Sequence, residues 1–168
     1  MLPFNTYVII GPESTGKTTL CKQLAEHFKG IWIPEYARFY VEQIKRPYTY
    51  DDVIHIAQKQ IETEESIKVN PTDYLFFDTD LIITKVWLLH VYKQCPEWID
   101  VFLKNAYRKS YFLCYPDLPW EFDPVRENPH LREYLFNWYK KELIYYGFNY
   151  FIINGTEQQR LNNALINI

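Results

Sequence analysis

The string Gly11-Pro12-Glu13-Ser14-Thr15-Gly16-Lys17-Thr18 is a complete G-x-x-x-x-G-K-T phosphate loop. It follows the apolar run Tyr7-Val8-Ile9-Ile10 and precedes a helical stripe at Leu20, Leu24 and Phe28. A strand that turns through two glycines into a helix restricts the chain to an α/β fold with the loop at a strand's carboxyl end. Each fixed position has a chemical reason. The glycines permit the positive-φ turns that wrap N–H groups round phosphate oxygens, Lys17 can reach the β- and γ-phosphates, and the Thr18 hydroxyl can ligate Mg²⁺. Gly11, Glu13, Ser14, Thr15, Gly16, Lys17, Thr18 and Thr19 are therefore the expected cradle for a nucleoside triphosphate. Lys17 is expected to be a solvent-facing cation without ligand.

Further along, Ile31-Trp32-Ile33, Tyr74-Leu75-Phe76-Phe77, residues 111–115 and residues 150–153 read as four more strands, separated by helical patterns. Strands alternating with helices require a parallel sheet with right-handed crossovers, which brings Gly11, Glu35, Asp78, Asp117 and Asn154 to one edge. Gly30 is expected to end the first helix, and Thr49 or Asp51 to cap the one that runs to about residue 69. The end of that helix, Glu62-Thr63-Glu64-Glu65, reads as a solvated face. From Leu81 to Tyr92 the pattern is apolar nearly all round, which means deep burial or a partner subunit. The proline-rich stretch after Pro116, up to about residue 132, reads as a lid.

With 168 residues and no low-complexity or charge-block segment, the chain fits one domain, residues 1–168. The net charge of −3 suggests no nucleic-acid or membrane partner, while a homo-oligomer is compatible with it. Cys21, Cys95 and Cys114 show no C-x-x-C spacing and read as free buried thiols in a reducing compartment. No window approaches 18 uninterrupted apolar residues, so the expectation is a soluble, cytoplasmic protein. Aromatic residues make up 18% of the chain, which hints at a pocket for a flat ligand.

Phosphoryl transfer needs a triphosphate cradle, a metal ligand, a carboxylate to receive the acceptor's proton, and cations to balance transition-state charge. Asp78, at the end of an apolar strand, suits a Mg²⁺ ligand beside Thr18. Its alternative is a helix N-cap, a reading that weighs more for Asp80, which is nearer the next helix. Glu35 follows Pro34 at a strand end, and an ion pair with Arg38 is its bland alternative. Arg126 and Arg132 flank the lid, where a guanidinium could swing onto the transferring group; a rim salt bridge is the alternative for either. Trp87 and Trp120 are the best candidates for stacking on a ligand ring, although core packing would explain either equally well. The four histidines have neither metal-ligand nor triad spacing and read as structural or solvated.

Taken together, the strings G-P-E-S-T-G-K-T at 11–18, P-E-Y-A-R at 34–38, D-T-D followed by T and V-W at 78–87, and P-D-L-P-W followed by D and R at 116–126 resemble the ribosylnicotinamide kinase domain of NadR-type proteins. That resemblance implies a three-layer phosphate-loop kinase fold with a five-stranded parallel sheet in the order 2-3-1-4-5. It also implies transfer of the ATP γ-phosphoryl group, with Mg²⁺, to the 5′-hydroxyl of nicotinamide riboside, a step of NAD salvage. Lys17, Glu35, Asp78 and Arg126 would be catalytic, with Glu35 as base. Glu35, Arg38, Asp80, Trp87 and Trp120 would meet the acceptor. Two features depart from the family: these 168 residues include neither an adenylyltransferase nor a helix-turn-helix segment, and Asp123 is followed by Pro124 where the family usually has glycine. A kinase for another nucleoside or nucleoside monophosphate, or a non-catalytic ATP- or GTP-binding module, would share the same loop.

Overall fold

The computed structural model describes residues 5–106, 109–121 and 129–168. Five strands, β1 (Thr6–Ile10), β2 (Ile31–Ile33), β3 (Leu75–Asp78), β4 (Lys109–Cys114) and β5 (Asn149–Ile153), form one parallel sheet in the order β2-β3-β1-β4-β5. All five residues of β1 are buried, as a central parallel strand covered on both faces requires. Between and after the strands run α1 (Lys17–His27), α2 (Tyr36–Ile44), α3 (Tyr50–Ser66), α4 (Leu81–Trp87), α5 (Glu97–Lys104), α6 (Arg132–Tyr146) and α7 (Glu157–Leu165).

Strand alternation divides the core into two layers. Tyr7, Ile9, Phe76 and Phe112 pack with Leu20, Leu24 and Ala164 from α1 and α7. Val8, Ile10, Phe77, Tyr111 and Leu113 face Val53, Ala57, Ile82, Val86, Ile99, Leu135 and Leu143 from α3 to α6. In α4 and the π-helical turn Leu88–Tyr92 that extends it, Leu81, Ile82, Val86 and Leu88 are buried within this second layer. Those four residues of the apolar run thus lie in the chain's own core, whereas Val91 is exposed.

Two local expectations shift for physical reasons. Lys29 (φ 50°), not Gly30, takes the left-handed position after α1; Gly30 is needed because a Cβ there would fall 2.7 Å from the Tyr74 carbonyl oxygen. Strand β4 begins at Lys109, two residues earlier than its apolar run, because that lysine is buried and ion-paired. Thr49 caps α3 in a reciprocal box with Asp52, whose carboxylate also accepts two bonds from Arg46, at 2.6 and 2.9 Å.

Candidate active site

The phosphate loop leaves β1 through Gly11 (φ 150°), where a Cβ would meet the Cys114 carbonyl oxygen at 2.7 Å, and enters α1 from Gly16 (φ 73°). Neither place admits a larger residue without strain. Two donors converge on the Pro12 carbonyl oxygen, the Thr15 hydroxyl at 2.8 Å and the Lys17 ammonium at 2.7 Å. Lys17 is therefore only 8% exposed, not the solvent-facing cation expected: the loop's own carbonyl gathers the charge inward. Arg132 supports the loop from outside, donating to the carbonyls of Ser14 at 3.1 Å and Leu118 at 2.8 Å. Ser14 and Glu121 are joined by bonds of 3.2 and 3.3 Å, so the segment after β4 rests on the loop.

Asp78 closes β3 in register with Ile9, two residues before Gly11, and is 2% exposed. With Thr18 on the first turn of α1, it offers a hard-oxygen donor set of the kind Mg²⁺ takes alongside phosphate oxygens. After Thr79 (φ 72°), Asp80 is the N-cap of α4: one carboxylate oxygen accepts from the Ile82 N–H at 3.0 Å, the other from the Tyr111 hydroxyl at 2.7 Å. Both oxygens are thus committed to the frame, which favours the capping alternative for this residue. Glu35 is the N-cap position of α2, and Arg38, one turn on, bonds Glu42 at 3.1 Å.

Two cavities flank Glu35. The larger, about 320 Å³, is lined by Ile33, Phe39, Phe77 and Phe102 together with Gln60, Glu64, Asp78 and Asp80. Four carboxylates and no lysine, arginine or histidine line it among the described residues. The smaller, about 180 Å³, lies among Arg38, Tyr48, Val53, Thr84 and Trp87, and Glu35 belongs to both walls. Trp87 is therefore at a cavity with Glu35 and Arg38, whereas Trp120 lines neither and sits in the segment that rests on the phosphate loop. Arg126 lies outside the described residues.

Several ionic groups were not legible as such in the sequence. Glu64 is not on a solvated face: it bonds the buried Lys109 at 2.5 Å, and Lys109 also lies 3.5 Å from Asp80. Burial raises the Glu64 pKa, with the Lys109 charge pulling the other way. Arg160, 1% exposed, donates to the carbonyls of Ile153 at 3.0 Å and Tyr115 at 2.8 Å and pairs with Asp117, clasping the carboxyl ends of β4 and β5. On the far side, Lys85 reaches Glu142 at 2.7 Å and Asp100 at 3.4 Å. The thiols of Cys21 and Cys114 are buried, and burial pushes that of Cys114 up to about 11, which keeps it protonated and inert. Among the described residues, no helix is long and apolar enough to cross a membrane.

A loop of this geometry, at the carboxyl edge of a parallel sheet ordered 2-3-1-4-5, defines a phosphate-loop kinase fold. A family model described as AAA domain matches residues 6–160, and the chain belongs to that family. Among curated proteins it is similar to the uridine kinase of Listeria monocytogenes serotype 4a (strain HCC23), 30% identical over 102 residues, covering 61% of this chain and 43% of that protein. The uridine kinase of Bacillus thuringiensis (strain Al Hakam) is 36% identical over 86 residues, 51% of this chain and 34% of the relative. The match thus spans less than half the length of these curated relatives. Among solved structures, NadR protein in complex with NR superposes with a TM-score of 0.71 at 22% identity, over 97% of this chain and 50% of that one. NadR protein in complex with NAD and AMP-PNP gives 0.64 at 20%, over 96% and 49%. At these identities the likeness to NadR is one of fold.

Proposed function

We propose that the protein is an ATP-dependent kinase that phosphorylates the 5′-hydroxyl of nicotinamide riboside, yielding nicotinamide mononucleotide and ADP. The observation that carries this reading is the position of Glu35, a carboxylate on the shared wall of two cavities, the larger of which also holds Asp78, in register with Ile9 at the root of the phosphate loop. ATP lies with its phosphates in the loop, and Lys17 turns from the Pro12 carbonyl to the β- and γ-phosphates. Thr18 and Asp78 would hold Mg²⁺, which neutralises phosphate charge. Glu35 takes the proton of the acceptor hydroxyl, and the acceptor's 5′-oxygen bonds the γ-phosphorus as the bond from phosphorus to the β,γ-bridging oxygen breaks and ADP leaves. Arg126 is proposed to balance charge on the transferring group.

For the acceptor ring, the larger cavity is favoured by size, since pockets for ligands of this class begin at about 300 Å³. Its anionic lining suits a ring carrying a fixed positive charge, and the faces of Tyr36, Phe39, Phe77 and Phe102 add cation–π attraction. Arg38 and Trp87, across Glu35 in the smaller cavity, are proposed to flank the ribose. NadR relatives of the same fold bind NR and an ATP analogue, which supports the pairing of substrates. The uridine kinase relatives favour a second reading, with a pyrimidine nucleoside as acceptor. ADP release with ATP, Mg²⁺ and a panel of nucleosides separates the two: preference for nicotinamide riboside supports the first, preference for uridine or cytidine replaces it. No ADP release with any acceptor would leave a nucleotide-binding module.

A further inference from the structure

One corner of the larger cavity has no part in phosphoryl transfer. Gln60, Thr63 and Glu64, all on α3, line it. Gln60 and Glu64 are four residues apart, so they stand one above the other on a single helix face. The Gln60 carbonyl oxygen is taken by the Thr84 hydroxyl at 2.7 Å, which leaves the amide nitrogen, with two protons to donate, for the cavity. Glu64 has the reverse character. Its Oε2 accepts from Lys109 at 2.5 Å, and its Oε1 makes no hydrogen bond among the described residues. The helix thus presents a donor and an acceptor side by side.

A primary carboxamide is the complement of such a pair, because it carries one carbonyl acceptor and one NH₂ donor at adjacent positions. Building on the nicotinamide riboside reading above, we propose that Gln60 and Glu64 recognise the carboxamide of the acceptor ring and exclude the ring acid. Gln60 Nε2 donates to the carboxamide oxygen, and Glu64 Oε1 accepts from its NH₂. Nicotinic acid riboside would instead place a carboxylate against Glu64, with no basic side chain lining the cavity among the described residues. Lys109 cannot take that role cheaply: its side chain is 1% exposed and already holds Glu64 and Asp80. A polar site built around one hydrogen-bonding pattern leaves buried groups unpaired or opposed when the wrong group enters, and that is where large discrimination arises.

The test uses the purified chain with ATP and Mg²⁺, comparing kcat/KM for nicotinamide riboside and nicotinic acid riboside. The parent is expected to prefer the amide by on the order of 100-fold or more. Glu64→Gln keeps a carbonyl for Lys109 but removes the opposing charge, and the preference should fall at least roughly tenfold, chiefly through a gain for the acid. Gln60→Leu should lower kcat/KM for the amide by roughly 10- to 100-fold with KM for ATP unchanged. Circular dichroism and thermal midpoints establish that each variant is folded; should Glu64→Gln fail to fold, the parent's preference and Gln60→Leu decide. A parent that accepts both ribosides alike, a folded Glu64→Gln with the parent's preference, or a folded Gln60→Leu with the parent's kcat/KM for the amide, overturns the carboxamide assignment while leaving the kinase reading intact. A parent that phosphorylates pyrimidine nucleosides but neither pyridine riboside overturns the substrate assignment and this proposal with it.

Discussion

Replacing Lys17 by alanine separates what this residue does for the loop from what it does for chemistry. In the loop, its ammonium is one of two donors on the Pro12 carbonyl oxygen, at 2.7 Å, and the Thr15 hydroxyl is the other, at 2.8 Å. A bond to a charged group is worth about 1.5 to 3 kcal/mol, but here the carbonyl keeps a partner when the lysine goes. Removing a cation that is 8% exposed also removes its desolvation cost, so the net loss of stability should be about 1 kcal/mol or less. For a chain of this size that is a fall in Tm by roughly 2 to 4 °C. Turnover should respond far more strongly. A preorganised donor aimed at developing phosphoryl charge contributes about 3 to 4 kcal/mol, so turnover at saturating substrate should fall by roughly two to three orders of magnitude. The assay pairs ADP release under saturating ATP with a thermal melt of the same preparation. Near-normal turnover in a folded Lys17→Ala protein would refute the placing of the triphosphate in this loop. A fall in Tm by more than about 10 °C would show instead that the lysine is principally a structural strut.

Glu35→Gln should slow turnover by at least on the order of 100-fold while ATP affinity stays within a few fold, whereas Asp78→Asn should chiefly raise the Mg²⁺ concentration needed for activity; the opposite pattern exchanges their roles. Trp87→Leu should lower kcat/KM for nicotinamide riboside and cytidine alike, their ratio holding within about threefold, because Trp87 lines the smaller cavity. A selective loss with nicotinamide riboside would move the charged ring to that cavity, where one cation–π contact contributes about 0.5 to 2 kcal/mol. Asp100 accepts from Lys104, Tyr146 and Lys85, which together hold its carboxyl down to about 2. The native state thus stays ionised where the unfolded chain takes up a proton, so this stability is present above pH about 3.9 and is lost as pH falls towards 2. Asp100→Asn should flatten the fall in Tm over that interval, and an unchanged acid limb would remove Asp100 from the acid transition.

Short-range information was enough for the frame. The loop's glycines, the five apolar runs and the helical stripes between them are local patterns, and parallel crossovers leave few ways to connect them, so the sheet and its carboxyl edge were legible from residues alone. Glu35 and Asp78 could be placed on that edge for the same reason: each ends or follows a strand, and strand ends of a parallel sheet share one edge. What periodicity could not reach were pairings between residues far apart in the chain. Glu64 looked solvated because its neighbours Glu62 and Glu65 are charged, yet the packing of α3 on the sheet brings it to Lys109, 45 residues away, and turns it into the wall of a cavity. Arg160 carried no motif, and only the juxtaposition of β4, β5 and α7 makes it the clasp on Asp117. Lys17 stands out in the sequence as the lysine of the loop motif, but whether its charge faces water or folds onto Pro12 depends on the curl of the loop. A sequence encodes which groups are available and on which edge they emerge; burial, and the partner each charge finds in order to be buried, are properties of the packed layers alone.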